Sequence, residues 1–258
     1  EPLLDNYRLG REMGDFEYAS LSAAFYCTHS YGAGRDLVEL EREVSGLARS
    51  IGRMKQETTQ MLANVYHQEI LNMMEPSGDP CLLIGKVCDE SLMVSQLSQT
   101  KENSVLCAIH VQKLRLCYSF RDYKVALESS VKAEHYLAGA KGSMLVPIVL
   151  FYGSLARVAV AEGLEGTDRF QMLRQVSKDQ KQLKKWAIKA PMNFMHKFFL
   201  VEAERFRISN QFSRAMDYFD LSIKMAGENQ YINEEALAYE RAGMFLFSVN
   251  NEVRGKFY

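Results

Sequence analysis

RDYKVALESSVKAE, residues 121–134, sets a polar turn before an aromatic at Tyr123, a small residue three later at Ala126, and another small one at Ser130. The same order recurs in GDFEYASLSAAFYC, residues 14–27, through Phe16, Ala19 and Ala23. It recurs again in NQFSRAMDYFDLSI, residues 210–223, through Phe212, Ala215 and Phe219. Positions three and four apart share one face of a helix, so each stretch predicts a turn followed by an amphipathic helix. The aromatic is expected to plug the hairpin, and the alanine to let two helices approach closely.

Working outward, helical spacing is common and period-2 alternation is scarce. Leu37, Leu40, Val44, Leu47 and Ile51 form one stripe within 35–51. Thr58, Met61, Leu62, Val65 and Tyr66 begin another within 58–74. Residues 102–118 are apolar on two sides, which predicts a helix sandwiched between neighbours. Further helices are expected over 122–138, 144–162, 167–189, 192–208, 211–226 and 230–248. The three related stretches resemble the turn and second helix of a tetratricopeptide repeat, diverged and irregular in spacing. The predicted fold class is therefore all-α, with antiparallel helical hairpins stacked as a degenerate tetratricopeptide-like superhelix over 1–258. The loop EPSGDP, 75–80, carries the strongest breaker signal and marks a possible sub-boundary.

Bulk properties narrow the classes. A hydrophobic content of 47% with 24% charged residues fits a folded globular chain and opposes disorder. A net charge of −1 gives no long-range attraction to nucleic acid or anionic lipid, so any basic surface must be local. Cys27, Cys81, Cys88, Cys107 and Cys117 follow neither disulfide nor zinc spacing, which suits a reducing, cytoplasmic compartment. The opening Glu1-Pro2-Leu3 predicts no secretory leader and a segment of something longer. SMLVPIVLFYGSLA, 143–156, falls short of the roughly 20 apolar residues of a membrane span and reads as a buried helix.

Candidate chemistry is sparse. Cys107 and His110 lie three apart, and Cys27 is near His29, but neither pair has two further ligands in reach, so no metal is expected. No nucleophile elbow appears, and neighbours such as His67 and Glu69 or Glu134 and His135 form no dyad by themselves. Gly32-Ala33-Gly34 lacks a third glycine and a preceding strand, so no phosphate loop and no cofactor are predicted. One helical enzyme alternative uses His67, His110 or His196 as a base inside the superhelix.

The best surface candidate is a basic run: Arg174, Lys178, Lys181, Lys184, Lys185 and Lys189 opposite Leu173, Val176 and Leu183. It joins KKWAIKAPMNFMHKFFLVEAE, 184–204, where Pro191 is expected in the first turn of a new helix. Phe194, Phe198 and Val201 are expected on its core face, with Trp186 and His196 packing beside the turn. The candidate partner-binding residues are Lys181, Lys185, Asn193, His196 and Lys197.

That segment resembles a block in the large multidomain signalling kinases of cyanobacteria and other microbes. Those proteins join a serine/threonine kinase, a STAND-type AAA ATPase, a tetratricopeptide-like region, a GAF domain and a histidine kinase. MGDFEYASLSAAFYCTHSYGAG, DPCLLIGKVCDE, LCYSFRDYKVALESSVKAEHYL and ENQYINEEALAYERAGMF resemble the same family in the same order. The resemblance implies a non-catalytic regulatory region that senses a ligand or partner and acts on an adjoining ATPase or kinase switch. Its implied partners are flanking domains of the same polypeptide or a protein or peptide, with neither nucleic acid nor membrane insertion. Self-association through exposed repeat ends is a further expectation. The alternative is a free-standing adaptor that binds peptides or partner helices.

Overall fold

The computed structural model describes residues 2–75, 78–100, 102–249, 255 and 258. Twelve α-helices lie among them: α1 Pro2–Met13, α2 Phe16–Gly32, α3 Leu37–Arg53, α4 Glu57–Met74, α5 Glu90–Thr100 and α6 Asn103–Ser119; then α7 Tyr123–Tyr136, α8 Leu145–Glu162, α9 Gly166–Lys189, α10 Pro191–Arg207, α11 Phe212–Glu228 and α12 Ile232–Ser248. Among the described residues β-pairing is limited to one isolated antiparallel bridge between Ile84 and Asp89. The fold is all-α, built of antiparallel helical hairpins, as the spacing predicts. The ten expected helices, counting the one after the turn at 14–27, form with ends shifted by a few residues; α1 and α5 are additional.

What makes the hairpins is a repeated corner. Gly14, Lys55, Arg121, Asn210 and Gln230 all take positive φ, between 57° and 75°. Each stands two residues before the next helix. In every case the left-handed residue donates its N–H to the carbonyl three back, and the following residue donates to the carbonyl five back. This pair of bonds satisfies carbonyls that a helix end leaves open, and it reverses the chain. The residue after the left-handed one is the N-cap of the next helix; Asp15 and Asp122 also accept from Tyr18 N and Val125 N through their side chains.

The small residues of the repeat behave as expected. Ala19, Ala23, Ala126, Ser130, Ala215 and Phe219 are all fully buried. A Cβ at Gly10 would sit 3.0 Å from Ala19 N and 3.1 Å from Ala19 Cβ, so α1 and α2 touch backbone to backbone. The aromatics differ from expectation. Phe16 is 46% and Phe212 38% exposed. As first residues of their helices they cover the rim of the turn and do not plug it. Tyr123 packs back on Tyr118, whereas Phe212 packs forward on Phe245.

The chain divides into two compact units, Glu1–Val149 and Leu150–Tyr258. In the first, α1–α2, α3–α4 and α6–α7 are hairpins, with α4 also against α2 and α6. The loop at 75–80 lies in this unit; its Pro76 and Ser77 are outside the described residues. Beyond it, Asn72 Nδ2 donates to the carbonyls of Pro80 and Leu82, and Glu90 accepts from Leu83 N, so residues 80–90 are pinned to α4. In the second unit, α9–α10, α10–α11 and α11–α12 pair in sequence. Helix α8 is long and apolar enough to cross a membrane by length and composition, yet 67% of it is buried in protein, as a core helix is.

Candidate functional site

The sequence-flagged residues of the second unit separate into two groups. Helix α9 ends at Lys189 and α10 begins at Pro191, so the turn falls where the proline places it. Lys181, Lys185 and Asn193 are exposed, along with the rest of the basic face of α9. His196 and Lys197 are not: they are 1% and 6% exposed, and no partner reaches them without opening the helices. Both turn inward because Glu234 of α12, itself 5% exposed, supplies the counter-charge. Its Oε2 lies 2.5 Å from His196 Nε2 and 2.6 Å from Lys197 Nζ. Lys197 Nζ sits 4.4 Å from the Tyr231 ring centroid, and the Tyr231 hydroxyl donates to Asn193 Oδ1 at 3.0 Å.

Electrostatics fixes the protonation of this cluster. Burial alone would raise the Glu234 carboxyl, but the Lys197 charge and the His196 contact outweigh it and lower it to about 2. Burial lowers the His196 imidazole despite Glu234. His196 Nδ1 is buried without a hydrogen-bond partner. A neighbouring cluster places Glu204 between Arg241 (2.6 Å) and Arg207 (2.7 Å), and Arg207 reaches Glu162 through both terminal nitrogens. Glu204 and Arg241 are buried, Glu162 lies at the surface, and the paired charges tie α8, α10 and α12 together.

The feature with the geometry of a binding site lies in the first unit. A cavity of about 550 Å³ opens among α2, α4, the start of α6 and the segment 139–145. Its walls are Leu21, Phe25, Leu62, Val105, Met144 and Leu145, with Thr28, His29, Thr58 and Thr59 supplying polar groups and Lys141 standing at the rim. Leu21 and Phe25 keep 39% and 43% of their surface exposed beside it. Two close approaches hold the segment that closes one side: a Cβ at Gly139 would meet Asn103 Cβ at 2.9 Å, and one at Gly32 would meet Met144 Cε at 3.0 Å. Burial lowers the His29 imidazole, so at neutral pH it is an uncharged donor and acceptor.

Behind the cavity stands Tyr66, 1% exposed, whose hydroxyl is pushed up by burial. Next to it Glu69, fully buried, faces Arg115 at 3.5 Å, and the Arg115 guanidinium lies 4.2 Å from the Tyr31 ring centroid. Burial pushes the Glu69 carboxyl up to about 7 even against the Arg115 charge. An apolar chamber with a few polar groups at its edge, backed by a titratable pair, has the chemistry of a ligand site.

The other sequence candidates are placed elsewhere. His67 pairs with Glu41 of α3 at 2.8 Å and not with Glu69. His110 stacks on Tyr136, and burial lowers it to about 4 with help from Lys132 and Lys113. Neither they nor His196 line the cavity just described. All five cysteines are free and buried, and burial raises their thiols. Among the described residues, no three His, Cys, Asp or Glu side chains group as a metal set. Sequence reasoning missed the cavity, since its walls come from residues up to about 120 positions apart with no shared motif. No protein-family model matches this chain, and no curated protein does.

Proposed function

We propose that this chain is a non-catalytic sensor and protein-interaction region of a multidomain signalling kinase in the cytoplasm, and that its first unit binds a small, mainly apolar ligand. The cavity of about 550 Å³ behind Leu21 and Phe25 carries this reading. The five segments that resemble those kinases in order support the setting. A ligand there presses on Tyr66 and thereby on the Glu69–Arg115 pair, which links α4 to α6. A ligand that prefers one packing of these helices by about a hundredfold shifts an attached switch by roughly 2.7 kcal/mol.

Medium-chain alkyl alcohols and carboxylates serve as probes, with binding followed by calorimetry and by hydrogen exchange over α4 and α6. Saturable binding with added protection near Tyr66 is expected, weakened at least about tenfold by Leu21→Trp, which fills the mouth. If no probe binds, or if Leu21→Trp leaves binding unchanged, the cavity is not a ligand site. If ligand binding alters neither nucleotide hydrolysis nor phosphoryl transfer in the parent polypeptide, the kinase setting fails.

A further inference from the structure

A second concave surface lies in the first unit, between α1 and α3, and its character is the reverse of the apolar cavity. It measures about 360 Å³ and is lined by Arg8 and Arg11 of α1 and by Arg42 and Arg53 of α3. All four guanidiniums are exposed, and no lysine is among the lining residues. The helices impose this convergence: residues 8 and 11 are three apart, and residues 42, 46 and 53 fall on one face at spacings of four and seven. At the centre of that face stands Gly46, whose missing side chain leaves the space open; a Cβ there would meet nothing within 4 Å.

The floor is built and buried. Tyr7 is 8% and Ser50 5% exposed. The Tyr7 hydroxyl donates to Ser50 Oγ at 2.7 Å and accepts from Arg11 Nη1 at 3.2 Å, so Arg11 is oriented before any ligand arrives. The Ser50 hydroxyl, which accepts from Tyr7, retains its own proton for donation. One carboxylate, Glu43, also lines the groove, but Arg35 neutralises it through paired bonds of 2.9 and 3.0 Å. Arg8 has only the exposed Asp5, a weak competitor. Among the described residues, Arg42 and Arg53 face no carboxylate within ion-pair distance.

We infer that the α1–α3 groove is an anion site that takes a small phosphate-bearing ligand. Arginine presents a planar fork that matches phosphate oxygens, and several forks on one small volume suit a group with multiple anionic oxygens. Nucleic acid is a poorer match, because the Tyr7 and Tyr26 rings are buried and capped by Arg11 and Arg35, leaving no face on which a base stacks. The chain's net charge of −1 makes this concentration of arginine local and specific to one face.

The test is calorimetric titration of the purified chain with inorganic pyrophosphate, alongside citrate as a carboxylate of similar charge. One saturable pyrophosphate site is expected, weaker at about 300 mM salt than at about 50 mM. Arg42→Ala and Arg53→Ala should each weaken it about tenfold, the order expected for losing one charge-assisted pair. Lys124→Ala on α7 and Lys224→Ala on α11, both exposed and outside the groove, should leave it unchanged. Both sets alter exposed side chains, and circular dichroism checks that each variant keeps its helicity. Absence of saturable pyrophosphate binding, equal binding of citrate, or retained affinity in both arginine variants overturns the proposal.

Discussion

Gly10 and Gly46 show how one residue type does opposite work at two sites. Alanine is the better helix former by about 1 kcal/mol, so Gly46→Ala, with nothing within 4 Å of the new methyl, should raise stability by about that much. Gly10→Ala drives a methyl into Ala19 backbone and side chain, an overpacking that costs about 1–3 kcal/mol and exceeds the propensity gain. Thermal denaturation should therefore move in opposite directions for the two variants. If both rise, α1 and α2 do not pack as closely as described. The sequence announces Ala19 through its place in the repeat, but nothing local announces Gly10 as its partner. His196 and Lys197 show the same limit. His196 is expected to pack beside the turn and does, but Lys197 reads as part of a basic segment until Glu234, nearly 40 positions later, draws both inward.

At the scale of the helix and its turn, most of the fold was legible, because each stripe of apolar residues needs only its own segment to be seen. Helices α1 and α5 were missed. In α5 only Glu90 and Leu97 are buried, too few to make a stripe. The corners were partly legible. Three stood out through Phe16, Tyr123 and Phe212, while those at Lys55 and Gln230 share the backbone without the residue pattern. A left-handed corner selects against β-branched residues but accepts Gly, Lys, Arg, Asn or Gln, so one geometry hides under five spellings. Non-glycine residues hold that conformation at a cost of roughly 1 kcal/mol. Arg121→Gly and Gln230→Gly should each raise stability, by up to about 1 kcal/mol and so with a higher denaturation midpoint, and Gly14→Ala should lower it comparably. No change on Arg121→Gly would mean its left-handed geometry carries little strain.

The whole molecule carries two opposite responses to pH, one in each unit. Glu69 of the first unit is raised to about 7, so the folded form holds a proton that the unfolded form releases near the ordinary carboxylate range. Stability of that unit should fall as pH rises from about 4.5 to 7, by on the order of 1–3 kcal/mol. Glu234 of the second unit is lowered to about 2, and Glu204 is lowered as well, since Arg241 and Arg207 outweigh its burial. Their contribution is complete above the ordinary carboxylate range and is lost as pH falls from about 4.5 toward 2. Hydrogen exchange, corrected for intrinsic rates, should show α4 and α6 loosening on the alkaline side and α10 and α12 on the acid side. Glu69→Gln should remove the first response and leave the second. These long-range features, like the arginine groove, were not legible in the sequence: Arg8 and Arg11 are separated from Arg42 and Arg53 by the whole of α2, whereas the α9 run was conspicuous because it is contiguous.

The repeated corner has an evolutionary meaning as well. Since all five present the same backbone entry and exit, a two-residue module such as Arg121-Asp122 is exchangeable for Asn210-Gln211 without redirecting the chain. Hairpins joined by such uniform joints can be duplicated, lost or reshuffled as cassettes while their faces diverge freely.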